Sequence, residues 1–247
     1  MVAGGRNGAQ AQRAGTGLYA QVVDELGRKI VQGELAPGTI VYAEQLCEQL
    51  GVSRSVVREG VRTLSSMGLV EARPQVGTRV LAAERWDLLN PYVVAWRNDG
   101  PDYAQQMREL LELRLGVEHS AAGLAAARLD ETGARQIMEE ARAMEVAYRD
   151  GDARKFFDHD AEFHRLLLEG TKNVVIAQLA DTISAALDAR GRDTRPGMHT
   201  ITEASVRNHL DLAEALAAGD VRQAQVKALE LVTVTLEEFE AAHGAER

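Results

Sequence analysis

The hydrophobic pattern of the chain changes once, near residue 85. Before that point short helical patterns alternate with short β-branched stretches, and after it helical patterns follow one another to the end. The first helical pattern has apolar residues at intervals of three and four, from Leu18 to Ile30, and Gly33 provides a stop. The pattern predicts a first helix beginning at Leu18. Residues 1–17, rich in Gly, Ala and Gln, are predicted to be a disordered leader.

Two further helices follow with the spacing of a helix-turn-helix. The first runs from about Ala43 to Leu50 and ends at Gly51, and the second begins after Ser53, whose hydroxyl can cap its first turn. The apolar positions of the second helix form one stripe before Gly68, namely Val57, Val61 and Leu64. The sequence therefore predicts a helix-turn-helix.

A β-hairpin is predicted directly behind these helices. Residues 69–72 and 78–81 read as two short strands, and Gly77 near the tip between them can adopt a positive φ. A hairpin in this place is a wing. We expect residues 18–81 to form a winged helix-turn-helix domain and residues 82–89 to be a linker.

The remainder of the chain carries no strand pattern. Asn90 precedes Pro91 as an N-cap, and glycines lie near several predicted helix ends. The predicted helices span residues 90–98, 102–128, 131–149, 152–169, 173–190, 203–218 and 220–242. Gly191 to His199 is expected to be the longest loop. The fold class is therefore mainly α, a winged helix-turn-helix followed by an all-helical bundle of about seven helices at 90–247.

Net charge divides at the same place as the hydrophobic pattern. The 247 residues carry a formal charge of −9, which by itself argues against a nucleic-acid partner. Residues 1–85, however, have a net charge of +2, and the rest has −11. The two halves are thus expected to have different partners.

Other features of the composition indicate a cytoplasmic protein. The single cysteine, Cys47, cannot form an internal disulfide and is expected to be a small core residue. The N-terminus lacks the apolar stretch of a signal peptide, and nowhere do 18 consecutive apolar residues occur. We expect a soluble protein with no membrane contact.

An arginine stripe is the first candidate binding surface. Arg54, Arg58 and Arg62 are four residues apart and lie on one helical face, away from the apolar stripe. On an isolated helix this would be an ordinary solvated surface. On the second helix of a helix-turn-helix, it lies where such helices enter the major groove, and the arginine fork matches guanine O6 and N7.

The residues around this stripe resemble a known family. Leu46-Cys47-Glu48-Gln49-Leu50-Gly51-Val52-Ser53-Arg54, continuing to Glu59, with Met67-Gly68-Leu69-Val70-Glu71 and the hairpin, resembles the winged helix of GntR-family bacterial transcription regulators. The resemblance covers about residues 18–81.

This resemblance assigns residues to the DNA contact. It implies that Ser53, Arg54, Ser55 and Arg58 contact an operator, and that the wing tip reaches the minor groove; we extend the contact to Arg62, Arg73 and Gln75. The chain departs from the family at two places. Tyr42-Ala43 replaces a polar cap followed by an acid, and Gln75 replaces a glycine.

The helical half holds a pattern that fits a metal site. Asp160 and His164 are four residues apart, so both project from one helical face, as two ligands of one metal must. The same spacing also produces an ordinary hydrogen bond between the two side chains. Spacing alone leaves both interpretations open.

A second resemblance favours the metal. The helical half resembles the FCD branch of the same family, on the basis of Leu113-Arg114 with Glu118, Asp160-Ala161-Glu162-Phe163-His164, Asn173, and His209 ahead of Ala218-Gly219-Asp220. The resemblance implies a divalent metal, such as Zn²⁺, held by Asp160, His164 and His209. A further histidine is expected near residue 231, where this chain has Leu231. Three ligands with open positions still form a workable site.

An anionic effector would need local positive charge in this acidic half. Arg114 and Arg108, with the metal, are the predicted effector-binding groups. Alternatively, Arg114 forms a buried ion pair with Glu118, and both roles can hold together. The segment Trp86–Trp96 resembles that of branch members that sense sugar acids such as galactonate or gluconate; otherwise the two tryptophans simply fill a contact between domains.

The sequence thus predicts a transcription regulator that is not an enzyme. We expect a homodimeric repressor that binds a palindromic operator and is released by a small carboxylate such as a sugar acid. Two alternatives remain open at this stage. One is a metal-dependent enzyme fused to a DNA-targeting module, and the other is a helical dimerisation module without a ligand.

Overall fold

In a computed structural model, which describes residues 7–192 and 201–243, the chain divides into two compact units. The division falls between Pro101 and Asp102. Each unit has its own hydrophobic core.

The first unit contains four helices and three short strands among its described residues. In chain order they are α1 (Asn7–Val31), β1 (Ile40–Val41), α2 (Ala43–Leu50), α3 (Arg54–Ser66), β2 (Val70–Arg73), β3 (Gly77–Val80) and α4 (Pro91–Asn98), with a 3₁₀ turn at Ala83–Arg85 before α4.

The three strands form one antiparallel sheet in the order β1-β3-β2. Val70 lies opposite Val80, and Arg73 lies opposite Gly77 next to the turn, so β2 and β3 form the predicted wing. The buried faces of α1, α3 and the sheet share one core, with Leu26, Leu64 and Leu69 fully enclosed. Burial of these apolar faces positions α3 against the rest of the winged helix.

The first helix begins earlier than its apolar pattern indicates. Helix α1 starts at Asn7, so residues 7–17 are helical rather than part of a disordered leader, and residues 1–6 lie outside the described part. Residues 9–14 contain Ala, Gln and Arg, which favour helix without supplying apolar periodicity. A prediction based on apolar periodicity does not detect a helical segment of this composition.

The two units of the structure divide later in the chain than the predicted linker at 82–89. The Asp87 N–H donates to the Met67 carbonyl at 2.9 Å, so residues expected to be a linker are attached to the winged helix. Helix α4, assigned from the sequence to the second domain, belongs to the first unit. Its Val93 and Trp96 are buried in the winged-helix core.

Trp96 anchors α4 against α1. Its ring packs directly on Gly27, and its indole N–H donates to Asp24 Oδ1 at 2.7 Å. Arg28 bonds both Asp24, at 3.0 Å, and Asp99, at 2.6 Å. A glycine is required at this crossing because a Cβ on Gly27 would lie 2.4 Å from the Trp96 ring.

The described residues of the second unit are helical, as predicted. Its helices are α5 (Tyr103–Arg128), α6 (Glu131–Arg149), α7 (Ala153–Gly170), α8 (Val174–Ala177), α9 (Ala180–Arg192), α10 (Glu203–Ala217) and α11 (Val221–His243). Helix α5 packs along α11, while α7 packs against α6 and α9, and α10 lies against α6 and α11. The core between these helices holds Phe157, Phe163 and Leu167.

One predicted helix is two helices. The segment expected to be helical over 173–190 is interrupted after Ala177, and α9 begins at Ala180. Gln178 and Leu179 are neither Gly nor Pro, so the sequence carries no breaker at that point. Most of the predicted loop from Gly191 to His199 lies outside the described residues, although Gly191 still belongs to α9.

In the described residues, none of the helices combines the length and the apolar character needed to cross a membrane.

Candidate functional site

The N-terminal end of α3 forms the first candidate site. Helix α2 ends at Gly51, whose φ of 64° lies in the left-handed region and turns the chain towards α3. Ser53 then caps α3, its Oγ accepting the N–H of Val56 at 3.4 Å. The two caps fix the angle at which α3 leaves the turn. Tyr42 provides no side-chain cap for α2, as its departure from the family pattern predicted.

Helix α3 has two chemically different faces. Val57 and Leu64 have no exposed surface, and Val61 is 8% exposed, so the apolar stripe packs inward as predicted. The opposite face is exposed and cationic, with Arg54, Arg58 and Arg62. The predicted arginine stripe is therefore available to a partner.

Polar groups surround the first turn of α3. The hydroxyls of Ser53 and Ser55 lie 2.9 Å apart, and both residues are exposed. Arg54 lies 3.4 Å from Glu44 of α2, but the two side chains are 74% and 63% exposed. An ion pair this exposed contributes at most about 1 kcal/mol, so it does not prevent Arg54 from contacting DNA.

The wing tip carries the other predicted DNA contacts. Arg73 donates to Glu71 at 2.8 Å and is exposed, and Gln75 at the tip is exposed as well. Gln75 has a φ of 62°, a conformation that glycine adopts without steric cost. This geometry explains why a glycine is the usual residue here, and it makes Gln75 a strained departure from the family pattern.

A buried polar cluster in the second unit forms the other candidate site. Asp160 and His164 extend from α7, and His209 extends from α10. His164 Nε2 lies 3.2 Å and His209 Nε2 lies 3.1 Å from the same oxygen, Asp160 Oδ1. One ligand atom from each residue lies within 4.8 Å of the others, and all three residues are buried. The structure thus brings together the three residues that the sequence assigned to a metal.

Each histidine of the cluster is oriented through its other ring nitrogen. His209 Nδ1 lies 2.8 Å from the backbone carbonyl of Ser205, and His164 Nδ1 lies 3.0 Å from Glu118 Oε2. Because a carbonyl only accepts, Nδ1 of His209 carries a proton, and in the neutral ring Nε2 presents its lone pair to the Asp160 oxygen. Two acceptors facing each other at this distance require a cation or a proton between them.

These donors fit a divalent ion. An imidazole nitrogen on each of two rings and a carboxylate oxygen are a common ligand set for Zn²⁺, and histidine ligands are usually held by a hydrogen bond on the far nitrogen. Glu118 supplies that bond for His164, and the Ser205 carbonyl supplies it for His209. Leu231, at the position where a further histidine was expected, faces the same cavity with an apolar side chain.

The two buried carboxyl groups at this site, Glu118 and Asp160, have lowered pKa values. Burial alone would raise the pKa of Glu118, but the Arg114 charge and the nearby His164 lower it to about 2. Burial likewise opposes ionisation of Asp160, but with a proton between its carboxylate and each imidazole nitrogen, the hydrogen bonds from His164 and His209 hold the pKa of Asp160 well below the usual range. Both carboxylates are therefore ionised at neutral pH.

Arg114 pairs with Glu118 and also lines the cavity, the two positions that the sequence left open for it. Its Nε donates to Glu118 Oε1 at 2.7 Å, which is the predicted buried ion pair. Its Nη2 lies 2.8 Å from His164 Nε2, and the side chain lines the cavity beside the cluster. A carboxylate entering this cavity would meet the guanidinium of Arg114.

Arg108 is placed elsewhere. It lies 3.6 Å from Glu240 and is not among the residues lining the cavity. Six residues separate it from Arg114 on α5, which rotates the side chain by about 240° around the helix. The two predicted effector arginines therefore do not share a face, and the prediction for Arg108 lacks structural support.

Other ionisable groups near these motifs have separate partners. His159 lies 2.7 Å from Glu140, and His119 lies 3.0 Å from the Gln225 carbonyl. Glu162, inside the Asp160–His164 motif, pairs with Arg165. None of these three belongs to the cluster.

The cavity itself is narrow. Its free volume beside the cluster is about 20 Å³, which holds one ion or one water molecule. A larger ligand must therefore displace lining side chains. The walls include Phe156 and Phe157 of α7, one face of α11 (Leu231, Thr235 and Glu238), Ser205 of α10, and Ile201 just before α10.

Sequence reasoning missed part of this site. The contact of Glu118 with His164 joins α5 to α7, and Thr235 and Glu238 enter from α11. The only signal in the sequence was the spacing of Leu231, Thr235 and Glu238, which places the three on one helical face. Which face of α11 meets the cluster depends on tertiary packing.

Comparison with known proteins finds the same two parts. Residues 18–80 match the family profile of bacterial regulatory proteins of the gntR family, and residues 109–233 match that of the FCD domain. The HTH-type transcriptional regulator YieP of Escherichia coli K12 is 31% identical over 176 residues, covering 70% of this chain and 75% of the relative.

Two further relatives match over a greater length. The galactonate operon transcriptional repressor of E. coli K12 is 28% identical over 213 residues, covering 86% of this chain and 92% of its own. The regulator LutR of Bacillus subtilis is 30% identical over 209 residues, covering 83% and 93%. Among solved structures, Lar of Listeria monocytogenes has the same fold, with a TM-score of 0.63, 20% identity, and coverage of 90% and 96%.

Proposed function

The chain belongs to the GntR family of bacterial transcription regulators and carries an FCD domain, and from this premise we propose that it is a homodimeric repressor released from its operator by a small carboxylate. Binding of operator DNA by the winged helix is a property of the family. The proposal concerns the residues that contact DNA, the dimer, the metal and the effector. As a regulator of bacterial genes, it would act in the cytoplasm.

The exposed end of α3 supports the assignment of the DNA contact. Ser53, Arg54, Ser55 and Arg58 line the first turns of a capped and well-packed helix, and the arginines are free to reach base edges. Arg62 extends the same face, while Arg73 and Gln75 would reach the minor groove from the wing. A two-fold dimer would place its half-sites about one helical turn, ~34–36 Å, apart or less on a palindromic operator.

The buried cluster supports a metal in the FCD domain. Asp160, His164 and His209 would hold the ion, and we propose Zn²⁺ because two imidazoles and a carboxylate suit it. Bound there, the ion would supply a positive charge with coordination positions open to an oxygen ligand. Glu118 and the Ser205 carbonyl orient the two histidine rings.

The single observation that carries the effector proposal is the position of Arg114. Its guanidinium lies beside the cluster and lines the same cavity, so two centres of positive charge would face one anion. A carboxylate is a small anion that an arginine fork and a metal ion can bind together. A relative is named as the repressor of a galactonate operon, and we propose a sugar acid for this chain as well.

The narrow cavity suggests how binding could change the regulator. A sugar acid is much larger than the 20 Å³ available, so its entry would move side chains of α10 and α11. A ligand changes an equilibrium only by its different affinity for the two states, and a cavity that must open provides such a difference.

A mobility-shift titration tests the regulator itself. The full chain is titrated against DNA from upstream of its own gene, beside Arg58→Ala and the control Arg135→Ala, whose side chain is 65% exposed on α6. We expect Arg58→Ala to weaken specific binding by about 1–3 kcal/mol per half-site, as loss of a guanine contact does, and Arg135→Ala to bind normally. Equal binding by Arg58→Ala and wild type would refute the assignment of α3.

A further inference from the structure

The cavity beside the buried cluster has an inner and an outer end. Leu231, Thr235 and Glu238 lie at intervals of four and three on α11, so they form one stripe about 10 Å long. Leu231 is 2% exposed, whereas Thr235 and Glu238 are half-buried. The stripe thus leads from the cluster towards the surface.

The first turns of α10 also lead from the cluster towards the surface. His209 belongs to the cluster, Ser205 lies one turn before it, and Thr202 at the start of the helix donates to Glu238 Oε1 at 3.1 Å. The hydrogen bond from Thr202 places Glu238 at the outer end. His209 and Leu231 mark the inner end.

The two ends differ in charge. The inner end holds the Arg114 guanidinium and the proposed metal ligands, whereas the outer end holds the Glu238 carboxylate. Within residues 7–192 and 201–243, Glu238 accepts one hydrogen bond, from Thr202, which leaves most of the acceptor capacity of its two oxygens for a ligand. The hydroxyl of Thr235, which donates to the Leu231 carbonyl at 2.9 Å, can also accept.

We propose that Glu238 determines which carboxylates act as effectors. With a carboxylate held at the inner end, Glu238 selects ligands whose far end carries hydrogen-bond donors, and it rejects dicarboxylates. This inference rests on the proposed function, since it assumes that a carboxylate binds beside Arg114.

Dicarboxylates and unsubstituted alkyl acids should bind weakly because their far ends do not complement the Glu238 carboxylate. The second carboxylate of a dicarboxylate would face Glu238 with like charge and no proton to share. An unsubstituted alkyl acid would cover Glu238 with methylene groups and leave its acceptor sites beyond the Thr202 hydrogen bond without donors, which carries a desolvation penalty. Hydroxyl groups donate to Glu238, so a polyhydroxy acid satisfies both ends.

Titration calorimetry on the zinc-loaded full chain tests this selection. Four carboxylates of six carbons serve as probes: D-gluconate, hexanoate, adipate and 6-aminohexanoate. The variant is Glu238→Gln, and the control is Glu237→Gln, whose side chain is exposed beside the stripe. The amide introduced by Glu238→Gln keeps the shape of the side chain and removes its charge.

We expect wild type to bind D-gluconate about tenfold or more tightly than hexanoate or adipate. In Glu238→Gln, the ratio of gluconate affinity to adipate affinity should fall by about tenfold, because adipate should bind more tightly than it does to wild type. General damage to the fold would not increase the affinity for adipate. Glu237→Gln should match wild type. Tighter binding of 6-aminohexanoate than of gluconate would identify an ammonium group as the preferred donor and would equally support selection by Glu238.

Two results would overturn the inference in distinguishable ways. If the ratio of gluconate affinity to adipate affinity is the same in Glu238→Gln as in wild type, Glu238 does not select among carboxylates. The proposed carboxylate site beside Arg114 would be unaffected by that result. If none of the four carboxylates binds wild type, the proposed carboxylate effector fails, and the role of Glu238 fails with it.

Discussion

At the scale of single residues, the buried cluster is held by contacts between helices. His164 of α7 touches Glu118 of α5, and Asp160 touches His209 of α10. The spacing of Asp160 and His164 predicted their shared face, because that relation is local. The partner of His164 could not be predicted, since nothing local to α5 indicates that Glu118 reaches another helix in addition to Arg114.

Removing the carboxylate behind His164 should weaken metal binding. Glu118→Gln keeps the size of the side chain but removes the charge that orients the imidazole, and we expect the dissociation constant for Zn²⁺ to rise by about 10–100-fold. Competition against a chromophoric chelator measures it, with Glu162→Gln as control. Thermal unfolding of the metal-free protein separates this effect from misfolding, because Arg114 also loses its buried partner. Unchanged zinc affinity in a folded variant would contradict the role of Glu118.

A histidine at position 231 should strengthen metal binding. Its side chain lines the cavity next to the three proposed ligands, so Leu231→His would add a third imidazole as the fourth ligand and complete a tetrahedral set. We expect tighter zinc binding in the same competition assay. Leu229→His, on the exposed side of α11 at 43% exposure, should leave the affinity unchanged. Equal affinities in both variants would show that position 231 does not reach the ion.

At the scale of elements, the contact between α1 and α4 shows where the sequence pattern stops being informative. The apolar positions of α4 correctly predicted a helix, and Asn90 and Pro91 marked its start. They could not assign the helix to a unit, because periodicity describes a helical face and not its partner. The packing of Trp96 on Gly27 decides that α4 belongs with the winged helix.

Enlarging Gly27 should destabilise this contact. A Cβ there would lie 2.4 Å from the Trp96 ring, which cannot move aside within a packed core, so Gly27→Ala should lower the free energy of unfolding by about 1–3 kcal/mol. Gly17→Ala is the matched control in the same helix, because a Cβ at Gly17 meets no neighbour within 4 Å. It should raise stability by about 0.5–1 kcal/mol, as alanine favours helix. Thermal unfolding that shows equal changes for both would contradict the packing.

At the scale of the whole molecule, the charge of −9 hides two halves of different character. Residues 1–85 carry +2 and present the arginines of α3, whereas the remainder carries −11. The acidic half repels DNA in general, so operator binding must depend on a few arginine contacts. The division of charge was evident from the sequence, and it agrees with the division of structure to within about twenty residues.

The salt dependence of operator binding should therefore reflect these few cationic side chains. Removal of one cationic side chain that displaces counterions from the duplex reduces the slope of log K against log salt concentration by about 0.9. We expect Arg73→Gln at the wing to reduce that slope by about 1 per protomer and Arg135→Gln to leave it unchanged. Fluorescence anisotropy between about 50 and 200 mM salt measures both. An unaltered slope for Arg73→Gln would remove the wing arginine from the DNA contact.

We propose that a carboxylate bound at the buried cluster lowers the affinity of α3 for operator DNA. The direct measurement is the operator affinity of the zinc-loaded protein with and without D-galactonate, for wild type and for His209→Ala. We expect D-galactonate to weaken operator binding by wild type about 5–150-fold and to leave operator binding by His209→Ala unchanged. Equal release of wild type and His209→Ala, or no release of wild type, would contradict it.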